Sequence, residues 1–174
     1  MWLYSRRKES FRLAHNKAEK AILISSWVII PLLLIRFVPK NRIRHAQVPF
    51  MFTQVITWFF GLLITEKGLI TYPYRLLFRK SYKSSFTFEY LVFPSLSVFF
   101  NLYYPEKRNI LIKALYYLSY TSFVTVFELI AVKYTKLIRY KKWNWYWSFI
   151  TICITYYISR LHYRHFFKSD PFGN

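Results

Sequence analysis

Five long apolar stretches run through the chain, and clusters of Lys and Arg fence each one. An uncharged apolar run of about 18 residues or more matches the hydrocarbon thickness of a bilayer as a spanning helix. The runs are continuous, not spaced at three and four, so they do not read as the one-sided helices of a soluble bundle. The pattern predicts an all-α fold: a polytopic transmembrane helix bundle of about five spanning helices. The spans fall at about 21–38, 46–66, 86–104, 111–132 and 144–166.

Charge sharpens this reading. The 174 residues include 26 Lys and Arg against 7 Asp and Glu, for a formal charge of +19, yet 55% are hydrophobic and 23% aromatic. A soluble chain this basic would point to nucleic acid. Here the basic residues lie between the apolar blocks, at the level of anionic lipid headgroups. The expected partners are the lipid bilayer with its anionic headgroups and a second copy or a membrane complex, with no nucleic acid. Trp and Tyr crowd several span ends, as amphipathic rings do at the lipid–water boundary. The single cysteine, Cys153, lies inside an apolar stretch and reads as a small packing residue.

Three parts follow: a basic cytoplasmic amino-terminal segment at 1–20, a transmembrane helical domain at 21–167 and a short tail at 168–174. Residues 1–20 read equally as an amphipathic surface helix and as a basic tail that only sets topology. The first span ends Arg36-Phe37-Val38-Pro39-Lys40 with no small-residue cleavage site, so it reads as an uncleaved anchor. Pro31 predicts a kink within it. The longest connection, 67–85, is both apolar and basic through Tyr72–Lys80 and reads as surface-lying or partly re-entrant. With only three glycines, Gly61, Gly68 and Gly173, close GxxxG packing is not expected, and bulky aromatics should interlock the helices instead.

Alternate connections differ in charge. Of the 26 Lys and Arg, 16 fall in residues 1–20, 67–85 and 133–143, and 10 fall on the other side. The positive-inside rule then puts the amino terminus in the cytoplasm.

Acids are scarce, so those within or bordering spans stand out. Glu66 ends the second span, Glu89 lies about one turn inside the third and Glu128 about one turn before the end of the fourth, which places all three toward the cytoplasmic face. Ionisable groups in spans are functional candidates. With Arg75 they make a candidate ion or headgroup site. The competing reading is structural pairing: Glu66 with Lys67 or Arg75, Glu89 with Lys83 or Arg75, Glu128 with Lys133 or Lys136. His162 and His165 share a helix face, with His45 and Glu106 on the same outer side. Arg160 and Arg164 beside them disfavour a cation, so no metal and no cofactor is expected. Asn101, Gln54, Thr57, Thr121 and Thr125 are candidates for hydrogen bonds between helices, at about 0.6 kcal/mol each. No catalytic residue is assigned, because no P-loop, GxSxG, HExxH or CxxC motif occurs.

Several segments carry a resemblance. They are Trp58 to Gly61 with Gly68-Leu69, Tyr72-Pro73-Tyr74-Arg75, and Ser85-Phe86-Thr87-Phe88-Glu89-Tyr90 with Pro94. Asn101-Leu102-Tyr103-Tyr104-Pro105, and Thr135-Lys136-Leu137-Ile138-Arg139-Tyr140 with Trp143, complete the set. Together they resemble a family of uncharacterised multi-pass membrane proteins common in endospore-forming bacilli and clostridia. The resemblance implies a bacterial plasma-membrane location and brings no catalytic residues with it.

The sequence thus reads first as a non-enzymatic integral membrane protein acting as a structural, lipid-interacting or complex-forming component. A small transporter or channel using the membrane-embedded carboxylates is the alternative. A weaker third reading is an enzyme acting on lipid headgroups, with Arg75, Arg79 or Lys80 holding phosphate.

Overall fold

The computed structural model describes residues 2–78 and 83–168, with side chains from residue 17 onward. The side chains of residues 1–16, Arg79 and Lys80, and the tail at 169–174, lie outside the described residues. The fold is all-α. Helix α1 covers Trp2–Phe37, α2 Ile43–Glu66, α3 Phe93–Leu102, α4 Ile110–Tyr134 and α5 Trp145–Phe166. A π-helical turn, Phe88–Val92, leads into α3, and two short strands, β1 at Ile70–Thr71 and β2 at Arg139–Tyr140, join two connections.

Three helices are long and apolar enough to cross a membrane: Lys17–Phe37, Lys40–Glu66 and Ile110–Tyr134. Two of the five expected spans depart from expectation. The third shrinks to Phe88–Leu102, about 22 Å long at about 1.5 Å per residue, and none of its residues is exposed. It is the central helix of the bundle, not a lipid-facing one. Hydropathy averages over all faces of a helix, so it does not separate these two situations. The fifth, α5, has 22 residues but carries Ser159, Arg160, His162, Arg164 and His165, which dilute its apolar character. Its polar Ser148, Ser159 and Arg160 are buried, while Ile150, Ile154, Tyr157 and Leu161 face outward.

Burial is inverted relative to a soluble protein. Ile35, Val55, Phe127 and Ile154 are all more than half exposed, whereas Thr53, Ser97, Thr121 and Ser159 are 1% exposed or less. In water the outward apolar side chains would each forfeit burial worth about 1.5–3 kcal/mol.

The chain alternates between two ends of the bundle. At one end β1 pairs antiparallel with β2, Thr71 opposite Arg139 and Ile70 opposite Tyr140. This holds 67–85 and 133–143 together, the two connections that charge counting placed on one side. The longest connection is therefore pinned by a ladder and by Tyr74, whose N–H donates to the Lys136 carbonyl at 3.1 Å. Gly68, at φ 63°, makes this possible. Its left-handed conformation closes α2 in a Schellman arrangement, with Gly68 N–H on the Thr65 carbonyl and Leu69 N–H on the Ile64 carbonyl. Glu19 ties α1 to the same end: its Oε1 accepts the Lys136 N–H at 2.9 Å, and the residue is 1% exposed. Leu23, Ile70, Leu137 and Ile138 form the apolar centre of this cap. Helix α1 runs from Trp2 through Pro31 without a break in helical assignment. At the opposite end, the Tyr103 hydroxyl donates to the Phe37 carbonyl at 2.7 Å.

Inside, α2 and α3 make the most extensive pairing. Helix α2 presents His45, Pro49, Thr53, Thr57, Gly61 and Thr65, each four residues on from the last. GxxxG is absent, as expected; the small residues Thr53, Thr57, Gly61 and Thr65 at spacing four line this face of α2 instead. Aromatic interlocking occurs at the opposite end, where Phe100 lies within 5.7 Å, ring centre to centre, of Tyr104, Tyr116, Tyr117, Tyr120 and Tyr156.

Candidate functional site

The capped end gathers Glu19, Glu66, Glu89 and Glu128, but in separate settings. Glu89 sits in the π turn, 3% exposed. Two local features place it there. Pro94 has no N–H, so the Glu89 carbonyl lacks the donor that the i to i+5 pattern of a π turn would supply. The Thr57 hydroxyl, 2.9 Å away on α2, fills that position. Gly61, one turn further along α2, leaves bare backbone where the carboxylate lies; a Cβ there would stand 1.8 Å from Glu89 Oε1. Ser84 Oγ donates to Glu89 Oε1, and the Tyr72 hydroxyl bonds to Ser84.

Glu128 has a parallel arrangement. Tyr140 donates to its Oε1 at 2.5 Å and Ser148 at 2.7 Å. Trp143 Nε1–H donates to Ser148 at 2.8 Å. Thus in both places a serine hydroxyl donates to the carboxylate and an aromatic polar group bonds the serine. Burial first, and then the Glu89 and Glu128 carboxylates, push the Tyr72 phenol well above its ordinary range. Burial and Glu128 do the same to Tyr140. Both phenols therefore stay protonated and remain donors.

The expected pairings change accordingly. Glu128 pairs with neither Lys133 nor Lys136, and among the described residues no Lys or Arg reaches it. The reason is helical geometry: five residues along a helix is about 140° round it, and Lys133 turns away to lie over the Tyr134 ring. Glu66 pairs with Lys83 at 3.1 Å, both side chains more than 70% exposed. Lys83 is thereby drawn away from its expected partner, Glu89.

Above these carboxylates lies an open cleft of about 360 Å³. The β ladder and the 67–85 connection wall it, and Arg75, Lys83, Arg139 and Lys141 line it together with Thr65 and Thr71. Arg75 Nη1 donates to the Lys83 carbonyl at 2.8 Å, which holds two of the four cations in register. Among the described residues, no acid lines it.

The opposite end holds a buried ion pair. Arg160, 7% exposed, meets Glu106 Oε2 at 2.5 Å, donates to the Asn101 carbonyl at 3.2 Å and lies 4.4 Å over the Tyr104 ring. Arg164 meets the other Glu106 oxygen at 3.5 Å. The histidines disperse: His45 bonds Tyr163 at 2.8 Å, His162 stacks on Phe52 and His165 is exposed. Among the described residues, no three His, Cys, Asp or Glu side chains cluster as metal ligands.

Between the ends runs a buried seam of small polar groups. Thr53 bonds Ser97, Ser97 bonds Ser159, and Asn101 Nδ2 bonds Ser159 at 3.1 Å. Of the five side chains expected to link helices, Asn101 and Thr57 do so, whereas Thr125 turns back to the Thr121 carbonyl of its own helix. Backbone carbonyls stand between Thr53, Thr57 and Glu89. A carbonyl accepts but passes no proton, so the seam packs helices and does not form a hydroxyl relay. Sequence reasoning missed Glu19, Ser84, Tyr140 and Ser148. Glu19 could have been found by asking where each of only seven acids goes.

No family model matches the chain, and no curated protein and no solved structure is similar to it.

Proposed function

We propose that the chain is a multi-pass protein of a bacterial plasma membrane, acting as a non-enzymatic structural, lipid-interacting or complex-forming component. One observation carries this: apolar side chains face outward along α1, α2, α4 and α5 while hydroxyls and an ion pair are buried. That arrangement suits a hydrocarbon solvent, where polar groups must be satisfied within the protein. The orientation proposed has the amino terminus and the β-ladder cap in the cytoplasm, supported by 16 of the 26 Lys and Arg falling in the segments tied to that end. The resemblance to the membrane proteins of endospore-forming bacilli and clostridia supports the same location.

A carrier working through Glu66, Glu89 and Glu128 draws less support. Glu66 faces solvent beside Lys83, and Glu128 is held by two hydroxyls.

Single cysteines in a Cys153→Ser background test the orientation. In intact cells, a membrane-impermeant maleimide is expected to label Lys107→Cys, at the turn after α3, and to reach Lys142→Cys, in the cap, only after permeabilisation. Both residues are exposed. The reverse pattern would overturn the orientation, and labelling of neither site in permeabilised cells would overturn the exposure of both turns.

A further inference from the structure

We propose that α3, α4 and α5 hold bound water between them, in a blind inlet at the end opposite the cap. The water bridges Asn101, Arg160, Thr121, Tyr117 and Tyr156.

Five buried polar atoms carry this. Asn101 Oδ1, Arg160 Nε, Thr121 Oγ1 and the hydroxyl oxygens of Tyr117 and Tyr156 have no hydrogen-bond partner among the described residues. Four of the five residues, all but Tyr117, are 7% exposed or less. Buried polar groups are satisfied either by protein or by ordered water, because leaving them unmet is costly.

The helices bring the five to one level. Tyr117 and Thr121 are four apart on α4, and Tyr156 and Arg160 are four apart on α5, so each pair shares a helix face. Helices α4 and α5 run antiparallel and pack together. Tyr117 and Arg160 each lie about two turns from the end opposite the cap, and Thr121 and Tyr156 about three. The Tyr117 and Tyr156 rings both lie against Phe100, with centres 4.9 and 4.8 Å from its own. Asn101 follows Phe100 on α3 and is already joined to α5. Its carbonyl accepts from Arg160 at 3.2 Å, and its Nδ2 donates to Ser159 at 3.1 Å.

The chemistry selects water. The Arg160 Nε–H can only donate and Asn101 Oδ1 can only accept, so the ligand must do both. Arg160 repels a cation, and Glu106 at 2.5 Å from it repels an anion. A small neutral molecule with both donors and acceptors remains. A buried water makes about three hydrogen bonds, so the five atoms suit about two waters. The way in follows the ion pair: side-chain exposure falls from 59% at Arg164 to 22% at Glu106 and 8% at Arg160. From Arg164 to Tyr156 the inlet is about 12 Å deep. It ends there, because Phe100, 0% exposed, fills the centre of the ring cluster, and beyond Asn101 the seam hydroxyls bond one another.

Two measurements on the full chain in phosphatidylcholine nanodiscs test this. Thr121→Val and Tyr156→Phe each remove a hydroxyl that bonds nothing else among the described residues. Each is expected to lower the thermal midpoint by about 3 °C, the loss of one hydrogen bond in a chain of this length. A dry hydroxyl behaves in the opposite way, since its removal relieves an unmet group. An unchanged or raised midpoint in either variant would therefore overturn the proposal. Water-edited NMR of the unaltered chain, carrying isotope-labelled arginine and tyrosine, gives a reading that depends on no variant. Magnetisation from water protons should reach Arg160 Nε and the Tyr156 ring at a rate comparable to that at exposed Arg164. Absence of transfer at either site would overturn the proposal, whatever the melts showed.

Discussion

Gly61→Ala is expected to destabilise the bundle by about 3–5 kcal/mol, combining overpacking of about 1–3 kcal/mol with loss of a buried hydrogen bond to a carboxylate of about 1.5–3 kcal/mol. The new methyl carbon would stand 1.8 Å from Glu89 Oε1 and 2.5 Å from its carboxyl carbon. Something must move, and the surroundings offer little room: Glu89 is 3% exposed and Ser84 is fully buried. The carboxylate would leave Ser84 and, with it, the link to Tyr72. A double-mutant cycle isolates the contact. Glu89→Ala removes the atoms that collide, so G61A/E89A should cost little more than E89A alone, measured by unfolding in detergent. Additive costs would show that Gly61 and Glu89 do not meet.

The second large effect lies at the other end. Glu106→Gln should cost about 3 kcal/mol, because it leaves the Arg160 guanidinium buried without its counter-charge. Arg160→Met should cost somewhat less, since Arg164 remains 3.5 Å from Glu106. The double variant R160M/E106L removes both charges and should be more stable than either single variant, as replacement of a buried pair by apolar groups often is. By contrast, Lys83→Gln at the exposed pair with Glu66 should change stability by less than about 0.5 kcal/mol. Thermal melts of the four variants in one detergent make the comparison. Equal effects at the buried and exposed pairs would contradict the burial of Arg160.

These effects divide along the line between what the sequence displays and what only three dimensions settle. The alternation of apolar blocks and basic turns displays the number of helices, and the charge count groups 67–85 with 133–143, which the β ladder then joins. Periodicity and charge are one-dimensional signals, and both survive folding. The central position of α3 does not show in them, because a buried apolar helix and a lipid-facing one have similar averages; its length and its Glu89, Ser97 and Asn101 were the available clues. Partner assignment fared worst where it relied on the nearest base. Glu128 finds Tyr140 and Ser148, 12 and 20 residues away, since a phenol and a hydroxyl satisfy a carboxylate without bringing a second charge into the bundle. Glu19 was hidden by the basic run around it. The small-residue row of α2 was visible in the sequence all along, but only when threonine is counted with glycine.

The central claim is that the outward apolar faces lie in hydrocarbon. Spin labels placed singly at Val55, Val126 and Ile154, on α2, α4 and α5, in reconstituted vesicles test it most directly. All three sites are more than half exposed. Collision with dissolved oxygen should be frequent and collision with a water-soluble nickel chelate rare at each of them, including the site on α5, the long helix of lower hydropathy. Nickel accessibility equal to that of a label at Lys142 would place these faces in water and contradict the account.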